Sequence, residues 1–198
     1  MADAATAPLL TERLLLRPFH DDAGDRDAYA ALCADAEVMR YIGMGETLTR
    51  EQSSAQLTRF VEHWTQHGYG LRAIVERGGG DGTPGGDGTV VGFVGVMRAG
   101  QPGVRAGDVE IGWRLARDRW GRGYATEGAR AVRDHAFAQL RLARLVAFVR
   151  PGNAGSMRVM DKLGMRLEKE GLCNYGRPMR IYALDNPLAS ATDRGAAR

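Results

Sequence analysis

Two cysteines, Cys33 and Cys173, are the only thiols in 198 residues, and they lie far apart with no metal-ligand spacing. That excludes a disulfide framework and a zinc-finger cluster, and it reads as two reduced thiols in a cytoplasmic protein. Long hydrophobic runs are missing too. The longest, over 90–97, is short and interrupted by glycine, so no segment is read as spanning a membrane. The first eight residues have neither a basic start nor a long apolar stretch, which argues against a secretory signal. Lysine is almost absent: Lys162 and Lys169 stand alone, and arginine carries nearly all the positive charge. The arginines are scattered among acids, and aromatics make up only 7% of the chain. A nucleic-acid surface, built from basic stripes interleaved with aromatic rings, is therefore disfavoured. His63 and His67 are four apart, but no third ligand accompanies them. They read as surface histidines, and no metal site is expected.

Against these absences stand 44% hydrophobic residues and a net charge of only +3. That composition suits one domain with a full core. Residues 11–18 read as a first strand stopped by Pro18. Asp21 or Asp22 caps a helix over about 25–35, with Tyr29 and Leu32 inward. A second helix starts at Thr49, and Leu57, Phe60, Val61 and Trp64 keep its inward spacing. Strands over 69–76, 89–97 and 108–116 form an antiparallel meander, and the glycine-rich 78–88 reads as a floppy hairpin tip. A helix over 124–140, a buried strand over 142–149 and a helix over 153–163 closed by Gly164 follow. A hairpin of 165–170 with 179–184 ends the domain over 11–185, leaving 1–10 and 186–198 as flexible ends. The order β-α-α-β-β-β-α-β-α-β-β predicts an α+β domain with a mostly antiparallel sheet of about seven strands, flanked by about four helices.

The stretch over 108–127 carries the most chemistry. A short strand runs into the turn Gly121-Arg122-Gly123, and a helix begins directly after it. The peptide N–H groups of Gly121, Gly123, Tyr124, Ala125 and Thr126 converge there with a helix N-terminus, an arrangement that attracts a pyrophosphate. Arg117 and Arg122 are read as adding charge-assisted bonds. Two other phosphate-binding motifs fail on spacing. No Gly-x-x-x-x-Gly-Lys-Ser/Thr string exists, and the turn lacks the third glycine of a dinucleotide fingerprint.

This order, with Trp120-Gly121-Arg122-Gly123-Tyr124-Ala125-Thr126-Glu127 after the fourth predicted strand, resembles the GCN5-related N-acetyltransferase (GNAT) family. Within it the chain looks most like the RimJ/RimL-like branch. Residues 11–18, 37–41, 110–127, 153–156 and 162–165 carry the likeness, which spans about 10–185. There are two departures. Trp120 stands where the wider family usually has Gln or Arg, and Met160 stands where many relatives place a tyrosine as general acid.

The resemblance implies that the fourth and fifth strands splay apart to admit acyl-coenzyme A. Ile111, Trp113 and Leu115 would then pair with the pantetheine amides like an added strand. Asn153 would hold the arm, and Ser156 would lie near the sulfur and protonate the thiolate, unless water does so. Both residues also read as a helix cap, Asn153-x-x-Ser156. Glu110, on the face opposite Ile111, is the first choice of general base and Asp108 the second, with a solvated surface glutamate as the plainer reading. Tyr41 and Tyr175 lie in segments that would build the acceptor pocket or simply plug the core. The implied activity is acetyl transfer from acetyl-CoA to a primary amine, a protein α-amine or a small molecule, by direct attack. The alternative is a non-catalytic acyl-CoA sensor. A homodimer is in keeping with the family, and neither membrane nor nucleic acid is an expected partner.

Overall fold

The chain reverses direction at almost every element, so its sheet is antiparallel apart from one strand pair. A computed structural model describes residues 7–78, 88–187 and 189. The expected loop over 78–88 and the ends over 1–10 and 186–198 thus lie mainly outside the described residues. Among the described residues eight strands form one sheet: β1 (Leu9–Leu10), β2 (Leu14–Pro18), β3 (Leu71–Glu76), β4 (Val90–Arg98), β5 (Val109–Leu115), β6 (Arg144–Val149), β7 (Arg166–Leu172) and β8 (Pro178–Asp185). Their order is β1-β2-β3-β4-β5-β6-β8-β7. The helices are α1 (Ala23–Ala34), α2 (Ala36–Met39), α3 (Arg50–His67), α4 (Tyr124–Ala138) and α5 (Ala154–Leu163), with a 3₁₀ turn at Arg117–Arg119. The fold is the α+β one expected. The fourth and fifth predicted strands are β5 and β6.

Local chemistry explains the boundaries. Asp22, not Asp21, caps α1 by accepting from the Asp25 N–H at 2.9 Å. Asp35 then accepts from Glu37 and Val38, which starts the one-turn α2 that the periodicity does not reveal. Thr49 and Gln52 form a capping box for α3, and Gly68 at φ 71° closes it. The first predicted strand is broken: the Thr11 hydroxyl oxygen accepts from the Leu14 N–H at 3.0 Å and the Thr11 N–H donates to Leu14 O at 2.9 Å, a turn that separates β1 from β2.

Helices cover both faces of the sheet. α4 and α5 pack Ala129, Val132, Phe137, Val159 and Leu163 over Val94, Val96, Ile111 and Leu145. α1 and α3 pack Tyr29, Leu32, Cys33 and Leu57 over Ala73, Val75 and Phe93 on the other face. The strand expected over 69–76 is covered on both sides, so residues 71–75 are all buried although their sequence alternates. Gly128 brings α4 close to β4, because a Cβ there would sit 3.1 Å from Val94 Cγ1. Asn186, assigned by its sequence to a loose end, is instead buried. Its N–H bonds Ala143 O at 2.8 Å and its side-chain amide bonds Leu142 O at 2.9 Å.

Candidate functional site

β5 and β6 are the one parallel pair, and they meet at only two register positions, Val109 with Leu145 and Glu110 with Val146. Beyond Glu110 they diverge. A charge cluster closes the joined end. Arg144 contacts Asp108 at 3.3 Å and Asp185 at 3.1 Å, and also pairs with Glu168. Asp108 further accepts from the Arg105 N–H at 3.0 Å. The second-choice base is thus bound into the clamp, with both carboxylate oxygens engaged.

The antiparallel ladder fixes where the β5 peptide groups point. Ala116 N–H bonds Val91 O, and Asp108 O accepts from Ala99 N–H, so even-numbered residues face β4. Odd-numbered Ile111, Trp113 and Leu115 therefore face the gap. One of their groups is already engaged: the Trp120 indole donates to Leu115 O at 2.9 Å.

At the far end of β5 the turn comes to α4. Gly121 (φ 75°) and Gly123 (φ 84°) both adopt the left-handed conformation that favours glycine. A Cβ at Gly121 would meet nothing, so its requirement here is conformational rather than spatial. Gly123 caps α4 with no side-chain bond, which leaves the first-turn N–H groups open, the arrangement an anion needs. Arg13 braces this turn from the start of β2. Its guanidinium pairs with Glu127 at 2.6 Å, donates to Arg122 O at 3.0 Å and lies over the Tyr124 ring. Thr11 Oγ1 donates to the same Glu127 at 2.6 Å. Burial opposes ionisation of Glu127, but Thr11 and Arg13 outweigh it and hold the carboxyl below its ordinary value.

Two cavities open along the gap. The first, about 400 Å³, runs from Trp113 and Leu115 past Gly121, Gly123, Tyr124, Ala125 and Thr126, and is walled by Asn153 and Ser156 at the start of α5. The second, about 240 Å³, holds Glu110, Ile111, Met160 and Tyr175. Tyr41, Trp113, Arg114, Asn153 and Ser156 border both, so the two spaces meet there. Asn153 caps α5 by accepting from the Ser156 N–H at 3.1 Å, as its spacing implies. Tyr41 donates to Gly152 O at 3.1 Å and so docks the turn after α2 onto the loop before α5. Tyr175 is 59% exposed at the outer rim.

Two predicted residues are not brought to these spaces. Arg117 lines a different groove beside α1, and Arg122 is exposed, outside both linings. In their place Arg119, Arg158 and Lys162 reach the first cavity. Gly155, Arg158, Val159 and Lys162 repeat at helical spacing, a signal present in the predicted helix over 153–163, from which only Asn153 and Ser156 are assigned to the site. Apolar surroundings disfavour the charged form of Glu110 and push its carboxyl up to about 7. Elsewhere, both ring nitrogens of His63 are engaged by backbone, Nδ1 with Tyr69 O at 2.9 Å and Nε2 with the Arg98 N–H at 3.3 Å.

The GNAT acetyltransferase domain model matches residues 13–166. The chain is 31% identical over 186 residues to the uncharacterised N-acetyltransferase YoaA of Bacillus subtilis, covering 91% of this chain and 98% of that one. A 74-residue stretch is 39% identical to the uncharacterised protein YkkB of the same species; it spans 37% of this chain and 42% of YkkB. The crystal structure of ribosomal-protein-S5-alanine acetyltransferase from Vibrio fischeri shares the fold at a TM-score of 0.72 and 16% identity, over 93% of this chain and 99% of that one. The chain belongs to the GNAT acetyltransferase family, and with it to acyl-CoA-dependent acetyl transfer in general.

Proposed function

We propose that the protein acetylates a primary amine by direct attack on acetyl-CoA, with Glu110 as general base. The observation that carries this reading is the split between β5 and β6, which opens a cavity on each side of Trp113, Asn153 and Ser156. The uncapped start of α4 and the left-handed glycines suit the pyrophosphate, with Arg119, Arg158 and Lys162 adding charge. The gap-facing peptide groups of Ile111 and Trp113 suit the pantetheine amides. Acetyl-CoA supplies an activated acyl carbon and a good leaving group.

Glu110 stands in the second cavity, where an acceptor amine would enter, and its raised pKa suits a base working near neutrality. It takes the proton that the amine loses as the N–C bond forms. The C–S bond breaks, and the Ser156 hydroxyl, at the junction of the cavities and bonded to no described residue, stands ready to give the sulfur a proton and recover one from water. Met160 cannot do so, since a thioether carries no proton. Products are an acetamide and a free thiol, so no covalent enzyme intermediate is required.

Glu110→Gln tests the base. We expect kcat to fall by about 10²–10⁴-fold. We also expect loss of the limb of the pH–rate profile that rises through pH 7, while calorimetry gives an unchanged affinity for acetyl-CoA. An unaltered profile would remove Glu110 from this role.

A further inference from the structure

The second cavity holds more positive than negative charge, which bears on the acceptor. Glu110 is the one acid in its lining; Arg114 and Arg150 are its bases. Neither arginine has a carboxylate partner among the described residues. Arg150 donates only to Arg40 O, at 3.3 Å. Arg114 lies over the Phe93 ring and donates to the Cys33 thiol at 3.4 Å, both neutral groups, and its buried Nε has no partner. A half-buried guanidinium whose Nε is shut off from water gains from an anion, and a cavity at its side offers a place for one.

The strand geometry separates the two kinds of charge. Glu110, Gly112 and Arg114 project from the same face of β5, with Glu110 and Arg114 roughly 13 Å apart along the backbone. Between them Gly112 leaves an open floor: the nearest atom to a Cβ built there is Glu110 Oε1, at 3.7 Å. We propose that this cavity selects an amine that also carries a carboxylate or phosphate, its amino end at Glu110 and its anionic end at Arg114 and Arg150. The inference rests on the acetyl-transfer reading above and narrows its acceptor. It disfavours polyamines and other polycations, which would set like charges against both arginines.

A series with one constant α-amine and every C-terminus amidated tests it: alanyl-glutamate amide and alanyl-phosphoserine amide against alanyl-glutamine amide and alanyl-lysine amide, followed by thiol release from acetyl-CoA. The anionic peptides should exceed the neutral one by about tenfold or more in kcat/KM. The two anionic arms tell carboxylate from phosphate. Arg114→Gln and Arg150→Gln, each checked by thermal melting, should collapse that ratio, and Arg114→Lys should retain part of it. Equal or better use of the neutral or lysyl peptide overturns the inference. So does an Arg114→Gln effect confined to coenzyme affinity with the acceptor ratio unchanged. If no peptide releases thiol, the acetyl-transfer reading fails. Calorimetric titration of the same peptides into the CoA complex then decides the anion preference by itself, since equal binding of all four overturns it.

Discussion

Glu110, the proposed base, is where one side chain would link stability to catalysis. Desolvation raises its carboxyl from an ordinary 4.5 to about 7. Between those values the folded protein keeps a proton that the unfolded chain releases, so this group's contribution is full below about pH 4.5 and declines as pH rises through 7. Glu110→Gln should therefore leave the melting temperature unchanged near pH 4.5. It should raise stability at pH 8, by on the order of 1–3 kcal/mol, read from paired denaturation curves. A mutation that abolishes a rate while firming the fold marks a residue held in a costly environment for its chemistry. The sequence placed Glu110 on its strand and face, because alternation dictates both. It said nothing of the pKa, which depends on how far the assembled sheet withdraws the carboxyl from water.

At the scale of elements, the turn over 121–124 works only as part of a braced unit. β2 contributes Thr11 and Arg13 from its approach, α4 contributes Glu127, and their bonds join segments more than a hundred residues apart. Arg13→Ala removes the pair with Glu127, the bond to Arg122 O and the cover on Tyr124, although Arg13 itself lines neither cavity. We expect acetyl-CoA binding to weaken by about tenfold in calorimetry, with a stability loss of about 1–2 kcal/mol. The Gly121-Arg122-Gly123 turn was legible from its glycines and the helix that follows. The brace was not, since no local pattern couples Thr11 and Arg13 to Glu127. Arg117 misled for a related reason: the 3₁₀ turn at Arg117–Arg119 rotates its side chain toward α1, and a flat reading of the charge run cannot register that rotation.

For the molecule as a whole, the clamp around Arg144 ties together the end of the sheet at which β5 and β6 are still paired. The side chain is 9% exposed and answers to acids before β5, on β7 and at the end of β8. Arg144→Met would strand the buried Asp108 without its cation, while Glu168 keeps Arg105 at 3.1 Å, at a cost of about 3–5 kcal/mol in urea unfolding. The meander, the crossover through α4 and the mostly antiparallel sheet were all readable from strand period and spacing. The place of β8 between β6 and β7 was not, because strand length and polarity are silent about which of two neighbours a late strand joins.

The divergence of β5 from β6 leaves an unfinished edge in the middle of the sheet rather than at its rim. Internal edges of this kind exchange their amide hydrogens readily and invite pairing with any extended chain, the hazard that closed sheets avoid. A coenzyme seated there would act as a missing strand, so deuterium uptake along β5 should alternate: quick at Ile111 and Trp113, slow at Gly112 and Arg114, and evened out once the slot is filled.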